Sequence, residues 1–177
     1  PLSIMDAHRN VVLCFDIFYV DGFKFLGTVS RGLHFIATQF IEGRHILPTV
    51  LPALKRIINI YRARGFNVVT AHADEEFTSL LDPLLAMTPS IRLNIVATGE
   101  HVPEIERAIR TIKERNRSTV SGLPFLHYPK LLKLQLVTQA ATWLNMFPHA
   151  DGISATISPR TLVTGAVAAY NTLYRVP

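Results

Sequence analysis

The sequence is short of several things, and each shortage excludes a class of protein. Its 177 residues hold one cysteine, Cys14. A single thiol builds no internal disulfide framework and no cysteine-rich zinc module. No run reaches the ~18 uninterrupted apolar residues of a membrane-spanning helix. Asp16, Lys55, Lys130 and Lys133 break the longest candidates. Charged residues are sparse at 18%, against 49% hydrophobic. That balance excludes disorder of the whole chain and predicts one domain with a substantial core. No signal-peptide core is visible in the first ten residues, and none of the chain is repetitive or of low complexity. The chain opens on Pro1 without an initiator Met, so a fragment or processed piece is expected. Acids are the scarcer charge, 13 against 18 basic residues. The basic excess gathers between His101 and Lys133, where Arg107, Arg110, Lys113, Arg115, Arg117, Lys130 and Lys133 outnumber Glu104, Glu106 and Glu114. Such a stretch suits phosphate contacts or forms a solvated helix face.

What is present reads as alternating structure. Val11 to Val20, VVLCFDIFYV, is a strand rich in β-branched and aromatic residues. Asp21-Gly22 signals a type I′ hairpin into a second strand, Phe23 to Ser30. After Arg31-Gly32, Leu33 to Ile41 makes a third. Thr49 to Arg64 has helical period, with Pro52 in its first turn and Gly65 ending it. Phe66 to Ala71 and Ile91 to Ala97 are the fourth and fifth strands, flanking a short helix or two turns from Glu75 to Met87, interrupted at Pro83. Pro103 opens a helix to about Asn116, Pro129 opens another to about Phe147, and Ser158-Pro159 caps and starts a last short one. Residues 1–10 are expected as a leader, 11–148 as the core, and 149–177 as a C-terminal extension carrying the short helix. The class is α/β: a three-stranded antiparallel meander plus two further strands in one mixed sheet, with helices on both faces. This is the strand order of the ribonuclease H-like fold.

Three carboxylates carry the chemistry. Asp16 interrupts an otherwise apolar strand, and a carboxylate there needs a partner: an Arg, a backbone N–H, water or a divalent cation. Asp74 follows the fourth strand, where it either belongs to a site or caps the next helix. Glu106 stands early in the basic helix and shares a face with Arg110, Lys113 and Arg117, at i, i+4, i+7 and i+11. An ordinary Glu–Arg pair also explains that spacing. Glu104 is the neighbouring candidate on another face. Three converging hard oxygen donors would suit Mg²⁺ or Mn²⁺. Cys14 reads as a packed strand residue, His72 as structural, and Asp21 as a turn residue. His101 stands near the helix entry. Trp143 with Leu136, Leu144 and Phe147 reads as a core or dimer face.

The segments VVLCFDIFYVDGFKFLGTVSRG, VVTAHADEEF and HVPEIERAIRTIKERNRSTVSGLPF, followed by PKLLKLQLVTQAATWLNMFP and ISPRTLVTG, resemble the catalytic core of copia-type LTR retrotransposon integrases. The family's Glu-Arg-x-x-Arg-Thr pattern stands as Glu106-Arg107-Ala108-Ile109-Arg110-Thr111. Its later landmarks stand as Leu123-Pro124, Asn145 with Pro148, and Ser158-Pro159 through Gly165. Agreement in order spans Val11 to Gly165. The resemblance implies a ribonuclease H-like polynucleotidyl transferase of the DDE type, with Asp16, Asp74 and Glu106 as catalytic and metal-binding residues for Mg²⁺ or Mn²⁺. It implies 3′-end processing and strand transfer on DNA, with Arg107, Arg110, Lys113 and Arg117 on the nucleic acid. It implies a homo-oligomer acting in the nucleus, after a stage in a cytoplasmic particle, and no secretion or membrane partner. Asp74-Glu75-Glu76-Phe77 stands where the family has Asp-Asn-Gly-x-Glu-Phe, which leaves Glu75 as the alternative second ligand. A decayed or domesticated integrase-like domain that only binds nucleic acid is the rival reading. A stand-alone ribonuclease H-like nuclease is the third.

Overall fold

The fold is read from a computed structural model that describes residues 2–43, 45–96, 102–124 and 127–167. A short helix α1 (Leu2–Ala7) leads into β1 (Asn10–Val20), β2 (Phe23–Ser30) and β3 (Ile36–Phe40). Next come α2 (Ile46–Ala63), β4 (Asn67–Ala73), a 3-10 helix (Glu75–Leu80), α3 (Leu81–Leu85) and β5 (Arg92–Ile95). Then follow α4 (Pro103–Ser121), α5 (Lys130–Leu144) and α6 (Pro159–Thr164). The strands form one sheet in the order β3-β2-β1-β4-β5. β1, β2 and β3 pair antiparallel, while β4 runs parallel to both β1 and β5. This is the mixed five-stranded arrangement read from the sequence.

Strand alternation explains the two cores. Val11, Leu13 and Phe15 of β1 face Leu54, Ile57, Ile58 and Tyr61 of α2. Cys14 and Phe18 face the other way, onto Ile105, Ile109 and Ile112 of α4 and Val137 of α5. Each fully buried aliphatic side chain contributes roughly 1.5–3 kcal/mol, so both faces must stay covered. The hairpin turn has the expected left-handed pair, Asp21 at φ 49° and Gly22 at φ 78°.

Several boundaries differ from the sequence reading. The expected leader contains α1, and β1 starts at Asn10. α2 starts at Ile46, so Pro52 lies inside the helix rather than in its first turn. The lost intrahelical hydrogen bond is outweighed by six buried side chains on that helix's inner face. β3 is shorter because the preceding turn extends to His34, which has φ 52°. Pro83 does not break the segment after β4. It sits in the first turn of α3, where its N–H is not needed, and the change of helix type falls at Leu80–Leu81. α4 runs on to Ser121 because no breaker intervenes before Gly122. α5 ends at Leu144, short of Phe147. At α6 the Ser158 side chain accepts the Thr161 N–H, as its N-cap position requires, and Gly165 closes the helix at φ 74°. Among the described residues no helix is long and apolar enough to cross a membrane.

Candidate active site

Asp16 lies on the α4-facing side of β1, in alternation with Cys14 and Phe18. Its Oδ1 accepts the Ile17 N–H at 2.6 Å. Its cross-strand partner on β2 is Gly27. A Cβ at that glycine would stand 3.1 Å from the Phe18 ring and 3.5 Å from Ile109 of α4. The missing side chain therefore lets α4 lie close over Asp16. Ile105, Ile109 and Ile112 bury the inner face of α4. The 3.6-residue period then turns Glu106, Arg110, Lys113 and Arg117 to one flank. These four side chains line a groove of about 450 Å³ together with Asp16, Tyr19 and Glu114.

Asp74 sits differently. The β1–β4 ladder ends at the pair Cys14–His72, and Asp16 and Asp74 each stand two residues further on. The backbone is extended at Asp74 (φ −74°, ψ 168°), and its side chain makes no capping hydrogen bond. The groove beside Glu106 is not lined by it. Phe77, three residues on, is buried edge-to-face on Phe15 with ring centroids 4.9 Å apart. That contact draws the chain after β4 toward the α2 side. Among the described residues no three Asp, Glu, His or Cys side chains gather closely enough to cage a metal. The three-acid convergence implied by the resemblance is thus not preformed. Glu75 is exposed in the first turn of the 3-10 helix. Burial raises the Glu76 carboxyl, Asp74 raises it further, and Lys24 opposes both. The residues that do share the groove, Asp16 and Glu106, fit Mg²⁺, which commonly takes one or two protein carboxylates and completes its shell with water and substrate phosphate.

The other flank of α4 is a separate environment. Arg31 Nε donates to Glu104 Oε1 at 2.7 Å. Burial acts to raise the Glu104 carboxyl, but the Arg31 hydrogen bond and charge outweigh it and hold the group below its usual range. Close by, burial pushes the Cys14 thiol up to about 11 against the pull of Arg31. His72 is lowered by burial and by Arg31, with Glu104 opposing. Arg107 lines a cavity of about 330 Å³ here, with Arg31, Glu104, His34 and His149. The structure therefore separates Arg107 from Arg110, Lys113 and Arg117.

Two features have no local signal in the sequence. The rings of His34 and His149 stack at 3.9 Å and 5°. His34 Nε2 lies 3.1 Å from the Asp151 carbonyl, and the Asp151 N–H donates to His149 Nδ1 at 3.1 Å. Those partners place a proton on His34 Nε2 and make His149 Nδ1 an acceptor. Asn145 is the second feature. Its Oδ1 accepts the Ile36 N–H at 2.8 Å and its Nδ2 donates to the Ile36 carbonyl at 2.6 Å, closing the outer edge of β3. The sequence marks Asn145 only through the family resemblance. Leu136 is buried as expected, whereas Trp143 stacks on the half-exposed Phe147 with centroids 6.0 Å apart. His101 lies outside the described residues.

No protein-family model matches this chain. No curated protein matches it either. A solved structure does: the crystal structure of the catalytic core domain of BIV integrase, with a TM-score of 0.62 and 16% identity, covering 93% of this chain and 98% of that one. At that identity the likeness establishes the fold, which is ribonuclease H-like in the form of an integrase catalytic core.

Proposed function

We propose that this chain is the catalytic core of a copia-type retrotransposon integrase, a metal-dependent polynucleotidyl transferase acting on DNA ends. One observation carries the reading: Asp16, on the central strand, and Glu106, on α4, open onto one groove with Arg110, Lys113 and Arg117. Asp16 and Glu106 would hold Mg²⁺ or Mn²⁺, with Asp74 or Glu75 entering from the end of β4. Such a metal, when bound, makes a water or hydroxyl nucleophilic and stabilises the leaving oxygen of a phosphodiester. The chain's own contribution is positional. β1 is paired on both sides before Asp16, and the Ile17 N–H fixes one carboxylate oxygen. α4 sets Glu106 and the three cations on one rigid face, where Arg and Lys orient backbone phosphates. DNA ends and target DNA are the proposed partners, a homo-oligomer the proposed form, and the nucleus the proposed place of integration.

Strand-transfer and disintegration assays with Mg²⁺ or Mn²⁺ test this. Activity is expected in the wild-type chain and lost in Asp16→Asn and Glu106→Gln, with DNA binding largely kept. Full activity in Asp16→Asn would refute the assignment. A second reading, a domain that only binds nucleic acid, is favoured by the absence of three gathered ligands among the described residues. It predicts DNA binding by a folded wild-type chain with neither metal affinity nor chemistry.

A further inference from the structure

We propose that the cavity between the β2–β3 turn and α4 binds a small organic acid, with the carboxylate on Arg107 and an apolar body against Val29, Ile36, Ala108 and Leu144. The cavity, of about 330 Å³, lies on the other flank of α4 from Glu106. That volume falls in the range of small-molecule sites and far exceeds the voids of a close-packed interior. Its walls are held in place. Gly32 at φ 75° and His34 at φ 52° turn the chain sharply out of β2. The Ile153 N–H donates to the Gly32 carbonyl at 3.3 Å, His34 stacks on His149, and Arg31 is tied to Glu104 at 2.7 Å. A cavity fixed in this way loses little conformational freedom when it takes a ligand.

Charge and polarity select the ligand. Arg31 and Glu104 neutralise each other, whereas Arg107 pairs with no carboxylate among the described residues. The cavity therefore carries one unmatched cation, with no lysine and no second carboxylate on its walls. Arg107 is among the charges that hold His34 below its usual range, after burial and His149 and against Asp151. Its field thus reaches across the cavity. Val29, Ile36, Ala108 and Leu144 supply a hydrocarbon floor. A monoanion with an apolar body matches one cation beside such a floor. The planar guanidinium takes a carboxylate in a fork of two hydrogen bonds, and the body removes the floor from water. A phosphate with two charges would set the second against Glu104, and any bare inorganic anion would leave the floor wet. The groove beside Glu106 is the opposite case, with six charged side chains on its walls.

NMR titration of the 177-residue chain with 2-naphthoate, its neutral amide and inorganic phosphate tests this. Naphthoate is expected to bind saturably, with a dissociation constant of about 1 mM or below, and to shift the ring signals of His34 and His149. The amide should bind wild type about tenfold more weakly, and Arg107→Ala should bind naphthoate about tenfold more weakly. Thr111→Phe, which puts a ring into the cavity, should abolish binding. Arg110→Ala, on the other flank, should leave it unchanged. Melting temperatures close to wild type show that each variant folds. Equal affinity for acid and amide, or equal losses in Arg107→Ala and Arg110→Ala, overturns the proposal. Absence of saturable binding overturns it too. Displacement of naphthoate by an equal concentration of phosphate overturns it in favour of a phosphate site. Each outcome is read without DNA or metal, so none of them bears on what the groove beside Glu106 takes.

Discussion

The side chain of Asn145 stands in for a sixth strand, and its removal has a size that follows from the geometry. β3 is the edge of the sheet, and Ile36 turns its N–H and carbonyl away from β2 to meet the Asn145 amide at 2.8 and 2.6 Å. Asn145 is 4% exposed, so water does not cover these groups in the folded chain. Truncation to Ala leaves one buried donor and one buried acceptor, each costing about 1–3 kcal/mol. A cavity of about 400 Å³ adjoins Ile36 and Asn145 and admits water once the amide is gone, which places the sum near 2–3 kcal/mol. For a chain of this length each kcal/mol moves the melting temperature by about 2–4 °C, so Asn145→Ala should melt about 4–12 °C lower. Asn145→Asp sharpens the test. It keeps the acceptor but sets a second acceptor against the Ile36 carbonyl, a clash that protonation of the carboxyl relieves. The neutral acid is favoured in the folded state, which puts its folded pKa above the unfolded value of about 3.9. The regained stability is present below the unfolded value and is lost as pH rises through the folded one. Relative to wild type, Asn145→Asp should therefore improve on acidification while Asn145→Ala does not. Circular-dichroism melts of the three proteins at pH 7 and pH 5 measure this. An Ala variant melting within a degree of wild type, or an Asp variant with an unchanged deficit at both pH values, would refute the reasoning.

Gly27→Val places branched carbon where even a Cβ would stand 3.1 Å from Phe18 and 3.5 Å from Ile109; a loss of about 1–3 kcal/mol is expected, read as a lower melting temperature, and a melt at or above wild type would contradict the close approach of α4. Burial lowers His34, assisted by His149 and Arg107 and opposed by Asp151, and burial with Arg31 lowers His72. The folded chain thus takes up these protons later than the unfolded one, and stability is held above about pH 6.5 and lost as pH falls below it. Melting temperature should drop from pH 7.5 to pH 5.5, and drop less in the His34→Gln/His72→Gln double variant; equal slopes would exclude both groups. Cys14 is fully buried with its thiol raised to about 11, so iodoacetamide at pH 8 should label it only after denaturant is added, and rapid native labelling would show that β1 opens locally.

Much of the architecture was legible because it depends on local chemistry. Strand alternation in β1, the Asp21-Gly22 pair with both φ values positive, Pro103 at the head of α4 and Ser158-Pro159 at the head of α6 each need only a backbone preference and a few neighbours. What was hidden depends on contacts far apart in sequence. Asn145 reaches Ile36 across 109 residues, and Arg31 reaches Glu104 across 73. The placement of Asp74 is of this kind too. Its neighbours in the sequence suggest a site or a cap, but Phe77 docking on Phe15 decides which way the segment turns.

The choice between Glu104 and Glu106 shows how the two levels combine. Two residues on a helix differ by about 200°, so one carboxylate cannot substitute for the other without rotating α4, and Ile105, Ile109 and Ile112 prevent that rotation by being buried. Periodicity alone set Glu106 with Arg110, Lys113 and Arg117. It could not say which flank faces Asp16. Two tertiary contacts settle that. Gly27 admits α4 over Asp16, and Arg31 holds Glu104 on the opposite flank. An acid tied to a guanidinium at 2.7 Å is also a poor competitor for a cation, since binding one would first require breaking that pair. The Arg31–Glu104 pair thus acts in the same direction as the helix period, leaving Glu106, not Glu104, as the first-turn carboxylate of α4 that faces the groove.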